Sequence, residues 1–112
     1  MAQFAKGSLA EAELAFSEIL EIDSTFVEGW NKRATIRFML GNTEGSLSDI
    51  SEVLQRQPRH FGAISGKGMI LFQNEAYEEA FSMYETLLKI DPNNQVAKQM
   101  HKRIQLLMDK YT

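Results

Sequence analysis

Two histidines, His60 and His101, are the side chains best suited to proton transfer or metal ligation near neutral pH. They stand 41 positions apart, and neither has a second imidazole three or four residues away. No HExxH-type spacing exists, so a turn-capping or solvated role is expected for both. The acid pairs Glu11/Glu13 and Glu78/Glu79 resemble carboxylate dyads on paper. Residues one or two apart on a helix point in different directions, so these pairs do not converge. The string "GKG" at 66–68 lacks the Gly-x4-Gly-Lys-Ser/Thr frame of a phosphate loop and lies inside a helical pattern. There is no cysteine, which removes disulfides, thiolate chemistry and Cys-ligated metal. No catalytic residue, cofactor or metal is expected, and the chain reads as a non-enzyme.

The bulk composition narrows the partners. The 112 residues have the length of one domain. A net charge of −3 gives no general attraction for phosphate backbones or anionic lipid, so neither nucleic acid nor membrane is expected. No apolar run approaches the roughly 18–20 residues of a membrane span. The opening "MAQFAKGSLAEAE" has no charged start followed by an apolar core, so it does not read as a signal peptide. It reads as a cut through a longer array. The compartment stays open between cytoplasm and, after removal of an upstream signal, periplasm.

What organises the chain is a period. Pro58 and Pro92 lie 34 residues apart, and Asp23 and Asp91 lie 68 apart. Ala12, Ser46 and Ala80 form a series of small residues at that interval. Phe16, Ile50 and Tyr84 follow as large ones, then Ile19, Val53 and Leu87, then Leu20, Leu54 and Leu88. Within each unit the spacing is helical: Leu14, Ile19, Leu20 and Ile22 are expected on one stripe, as are Leu47, Ile50, Val53 and Leu54, and Phe81, Tyr84, Leu87 and Leu88. Breaks are expected at 6–8, 40–46 and 73–77, and again at "IDSTF", "RQPRHF" and "KIDPNN". Each unit is therefore helix, turn, helix, and neighbouring pairs must stack to bury their apolar sides. The small residue lets two helices approach, and proline stops the second helix from continuing. Trp30, Ala34, Ile50, Leu54, Leu71, Ala80, Tyr84 and Leu87 are the expected core.

The pattern resembles the tetratricopeptide repeat, W-x2-L-G-x2-Y…A-x3-F…P over about 34 residues. Residues 61–94 carry Ile64, Gly68, Leu71, Ala80, Tyr84 and Pro92 at the matching places. Residues 27–60 keep Trp30, Ile50 and Pro58 but depart at Arg33, Ala34, Arg37 and Ser46. Residues 1–26 keep one helix, with Ala12 and Phe16, and have Ser24 where proline is usual. Residues 95–112 resemble the extra helix that closes such arrays, and "WNKRAT" and "PRHFGA" resemble a bacterial branch. The resemblance implies one all-α domain: a helix-turn-helix repeat solenoid of about two and a half repeats plus a closing helix.

It also implies a protein or peptide partner held in a concave groove lined by the first helices. On the stripe opposite Trp30 and Ile64 the groove residues are Asn31, Lys32, Thr35, Phe38 and Met39, then Ser65, Met69, Phe72 and Gln73. Val96, Gln99, Met100, Arg103, Leu106 and Leu107 extend a similar stripe on the closing helix. Met and Phe there suit an adaptable apolar contact. Some members of the family grip a terminal carboxylate with Lys and Asn in one unit and Lys and Arg in a later one. Gly62 and Gly66 stand at the later places, so that clamp is absent. Arg33 and Arg37 are expected to bury their stems and pair with an acid such as Asp49, the other reading being ligands for an acidic partner.

The alternative to a peptide scaffold is a structural module that assembles with copies of itself. Leu9, Leu14, Phe16 and Ile19 form the expected self-association edge of a homodimer, since the first helix lacks its usual cover. Residues 1–28 carry one Lys against six acids, net −5, and residues 95–112 carry four basic residues against one Asp, net +3.

Overall fold

The computed structural model describes residues 6–110. Six helices follow in order: α1 (Lys6–Ile22), α2 (Val27–Met39), α3 (Thr43–Arg56), α4 (Phe61–Gln73), α5 (Tyr77–Ile90) and α6 (Gln95–Lys110). Among the described residues there is no strand, so the fold is all-α as expected. The chain divides between Pro58 and Arg59 into two compact units. The first unit holds α1–α3 and the second α4–α6.

In the first unit α2 packs on both α1 and α3. Its buried side chains include Leu9 and Leu20 of α1, Ala34 of α2, and Ser46, Asp49, Ile50 and Val53 of α3. Ser46 fills the small-residue place, and its hydroxyl donates to the Ala34 carbonyl at 2.8 Å, so the polar atom is satisfied inside the contact. In the second unit α5 packs on both α4 and α6. Ala63, Ile64 and Ile70 of α4, Ala80, Tyr84 and Leu87 of α5, and Ala97 and Ile104 of α6 are buried.

The three stops share one hydrogen-bond pattern. The backbone N–H groups of Asp23, Gln57 and Asp91 donate to the carbonyls of Ile19, Val53 and Leu87 at 2.8, 2.7 and 2.8 Å. Donors and acceptors both recur every 34 residues. At the first stop Ser24 replaces proline, and Asp23 accepts hydrogen bonds from the Thr25 hydroxyl and backbone N–H instead. These bonds hold the Asp23 carboxyl below its ordinary pKa, the Thr25 hydroxyl first.

The turns inside the units repeat as well. Gly41 has φ +84° and Glu75, 34 positions later, has φ +60°. Around Gly41 the N–H of Asn42 reaches the Arg37 carbonyl at 2.8 Å, and around Glu75 the N–H of Ala76 reaches the Leu71 carbonyl at 2.9 Å. Both are Schellman ends, which need a left-handed residue. Glycine takes that conformation freely, and glutamate does not.

Three expectations are corrected. Helix α1 runs through 6–8, because Gly7 and Ser8 have ordinary helical backbone and one glycine lowers helix propensity without ending a helix. The α1 stripe is not the expected one: Leu9 and Leu20 are buried, whereas Leu14 and Ile22 are 62% and 87% exposed. At 100° per residue Leu14 and Ile22 fall on the far side of the helix from Leu9 and Leu20. Trp30, Leu54 and Leu71 are half-buried rather than core. Trp30 keeps its edge at the surface, donating Nε1–H to the Ser24 carbonyl at 2.8 Å. The guanidiniums of Arg33 and Arg56 lie 5.0 and 5.4 Å from its ring centroid. Residues 1–6 were expected as the last turn of a preceding helix; Lys6 instead opens α1, and residues 1–5 lie outside the described residues.

Two substitutions test this register by chemical denaturation. Ala80→Leu overpacks a site with no exposed area and should cost about 1–3 kcal/mol. Glu75→Gly relieves the left-handed backbone and should stabilise by about 0.5–1 kcal/mol.

Candidate functional site

Helix α4 carries Phe61, Ser65, Met69 and Phe72 at the spacing of one helical face. Helix α6 carries Val96, Met100, Arg103 and Leu107 at a matching spacing. The Arg103 guanidinium lies 5.2 Å from the centre of the Phe72 ring, so the two stripes border one trough. At the other end of the trough opens a cavity of about 210 Å³. Phe61 and Ser65 of α4, Tyr84 and Leu87 of α5, Asn94, and Val96 and Ala97 of α6 line it. The cavity therefore sits at the first turns of α4 and α6, and Arg103 and Phe72 lie further along both helices.

Local chemistry holds these parts in place. A Cβ at position 68 would stand 3.0 Å from Tyr84 Cε2 and 3.3 Å from Met83 Cβ. Gly68 thus lets the tyrosine ring lie against the α4 backbone. Burial there pushes the Tyr84 phenol pKa up. His60 caps α4, its Nδ1 accepting from the Ala63 N–H at 3.0 Å, and Asn94 caps α6, its Oδ1 accepting from the Ala97 N–H at 2.9 Å. His101 stacks on Phe81 with ring centroids 4.1 Å apart, tying α6 to α5. Both histidines thus have structural contacts. Among the described residues no group of three or more His, Asp or Glu could hold a metal ion. No described helix is long and apolar enough to cross a membrane.

The first unit carries the strongest polar cluster. Arg33 grips Asp49 with two hydrogen bonds, Nε–Oδ2 at 2.9 Å and Nη2–Oδ1 at 2.8 Å, and its Nη1 donates to Ser17 Oγ at 3.1 Å. Arg37 reaches Asp49 Oδ1 at 3.2 Å and Glu13 Oε2 at 2.9 Å. All three helices are joined through two guanidiniums. The Asp49 side chain is 1% exposed, and the hydrogen bonds Arg33 donates to it raise the already high pKa of Arg33, which stays charged at every accessible pH.

Residues 63–94 match the family profile of the tetratricopeptide repeat. A TPR repeat-containing protein of Rhizobium etli is 36% identical over 93 residues, covering 83% of this chain and 44% of the relative. Residues 63–94 are a tetratricopeptide repeat, and the likeness to a TPR protein extends over 83% of the chain. Hsp70-Hsp90 organizing protein 3 of Arabidopsis thaliana is 29% identical, over 82% of this chain and 16% of that protein. The first TPR of Spaghetti (RPAP3), solved with an HSP90 peptide, SRMEEVD, aligns with a TM-score of 0.85 at 24% identity. That alignment covers 92% of this chain and 82% of the other, and it shows a shared fold. The chain spans less than half the length of these curated relatives.

Within the repeat frame the two units solve one place differently. Arg33, Arg37 and Asp49 correspond, 34 positions on, to Lys67, Leu71 and Met83. The predicted pairing of Arg33 with Asp49 is present. The signal missed in the sequence was Glu13, which completes the cluster from α1. Of the residues expected along a groove, Lys32, Thr35, Met39, Met69 and Gln73 are exposed, and Asn31, Phe38, Ser65 and Phe72 are half-buried. Ser65, Met69 and Phe72 share the trough of the second unit, whereas Asn31, Lys32, Thr35, Phe38 and Met39 belong to α2 of the first. Of the expected self-association edge, Leu9 is buried at 7% exposure and offers no surface. Its place on the α1 face that meets the rest of the unit, with Leu20, is the reason. Phe16 is half-buried, and Leu14 and Ile19 are exposed. Neither Tyr84, Leu87 nor Asn94 was expected to border a binding surface, since repeat spacing marks the first two as core.

Removing Asp49 tests the cluster. Asp49→Ala leaves two partly buried guanidiniums short of an acid and should cost about 3 kcal/mol by denaturation. Arg33→Leu, Arg37→Leu and Asp49→Met together should recover most of that loss, because an apolar set removes the desolvated charges with their partner.

Proposed function

We propose that the chain is a non-enzymatic protein-interaction scaffold that binds an extended peptide along the α4–α6 trough. The observation that carries this reading is the half-open cavity beside an exposed apolar wall, with Met69 45% and Val96 63% exposed. Methionine and aliphatic side chains on a rigid helix pair make a surface that adapts to a ligand. The Arabidopsis relative's name and the peptide-bound fold neighbour support a peptide partner. Gly62 and Gly66 bear no side chain where a carboxylate clamp would need Lys and Arg, so the ligand is held by apolar contact and not by a terminal carboxylate. In the first unit Asn31, Lys32, Thr35, Phe38 and Met39 form a second candidate wall of the same kind. A peptide-library titration tests the proposal: library members should bind, and Met69→Lys should weaken them about tenfold, which is about 1.4 kcal/mol. Unchanged binding in Met69→Lys would contradict the assignment to this trough.

The exposure of Leu14, Ile19 and Ile22 favours a second reading, self-association through α1. It predicts a mass that rises with concentration in sedimentation and a monomer for Leu14→Lys/Ile22→Lys. A monomer of the unaltered chain at every concentration would remove it.

A further inference from the structure

The cavity and Arg103 share one trough and differ in chemistry. At about 210 Å³ the cavity exceeds the roughly 150 Å³ that accommodates benzene and falls below the roughly 300 Å³ of a site for a whole small molecule. One apolar side chain, of leucine to phenylalanine size, fills it. Arg103 is the charged member of the wall. Arg33, Arg37 and Arg56 each hold a carboxylate, whereas Arg103 has no acid partner among the described residues. Its head group lies over the Phe72 ring, which fixes it facing the trough. Helix α4 contains no acid, and α6 contains only Asp109. The trough therefore offers an apolar socket and, beyond it, an exposed guanidinium that makes no ion pair with a described acid.

The separation sets a register. From Ala97 at the cavity to Arg103 the helix rises about 9 Å, at ~1.5 Å per residue. An extended polyproline-II segment rises ~3.1 Å per residue and turns once every three, so residues three apart lie on one side about 9 Å from each other. We propose that the trough reads a two-point motif in a partner protein: an apolar side chain in the cavity and a carboxylate on Arg103, three residues away in an extended segment. This specificity rests on the peptide-binding reading above and deepens it.

The test uses the whole chain and fluorescent peptides in which one leucine and one glutamate are separated by two, three, four or seven positions. The three-residue spacing should bind about tenfold tighter than the others, and replacing either leucine by alanine or glutamate by lysine should remove that advantage. Ser65→Leu fills the cavity from its half-buried rim and should abolish discrimination between leucine and alanine. Val96→Glu, at an exposed rim position, gives the same readout should Ser65→Leu fail to fold. Arg103→Glu should reverse the preference from glutamate to lysine. Best binding at the seven-residue spacing would indicate a helical ligand and overturn the motif. Equal binding of all peptides would overturn the motif and leave the peptide-binding reading standing. Binding by none of them, nor by any library member, would overturn both.

Discussion

The second unit depends on how closely α5 can approach α4. Ala80 has no exposed area, and the ring of Tyr84 rests where a Cβ on residue 68 would stand at 3.0 Å. Glycine at 68 and a small residue at 80 leave room for that approach, and a Cβ at 68 would press on Tyr84 and Met83. The same contact decides what the surface can do. Because Tyr84 and Leu87 reach in under α4, they meet α6 from below and floor the cavity between the two helices. Packing and site are here one feature, and a side chain added at the contact alters both.

The first unit meets the same geometric demand with different chemistry. Ala34 and Ile50 occupy the places of Gly68 and Tyr84, and the space around them is spanned by Arg33, Arg37, Asp49 and Glu13. Replacing a buried ionic set by apolar residues is often neutral or favourable for stability, so the cluster is poorly explained as a source of net stability. What it does impose is a geometric constraint on how α1, α2 and α3 meet. Two guanidiniums on α2 meet an acid on α1 and an acid on α3, and a shifted register would strand at least one charge.

Much of this was legible as a period. The recurring 34-residue interval gave helix number, the turn positions after α1 and the fold class, because stops and close contacts repeat as physical necessities. Arg33 and Arg37 announced themselves by standing where the repeat prefers apolar residues, which led to Asp49. Leu14 and Ile22 match the α1 stripe in apolar type but not in angle. Glu75 gave no sign that it takes the place of Gly41 in a left-handed turn. The cavity was hidden for a different reason: repeat spacing marks its floor, Tyr84 and Leu87, as core, and an opening depends on how small Ser65 and Ala97 are opposite one another.

Central to the account is that a peptide occupies the α4–α6 trough. Two-dimensional NMR of the 15N-labelled chain, titrated with a tight-binding library peptide, tests it most directly. The account predicts that amide shifts concentrate on Ser65, Met69, Val96, Ala97 and Arg103 while α1 stays unperturbed. Shifts confined to α1, or saturation of binding without change at those five amides, would contradict it.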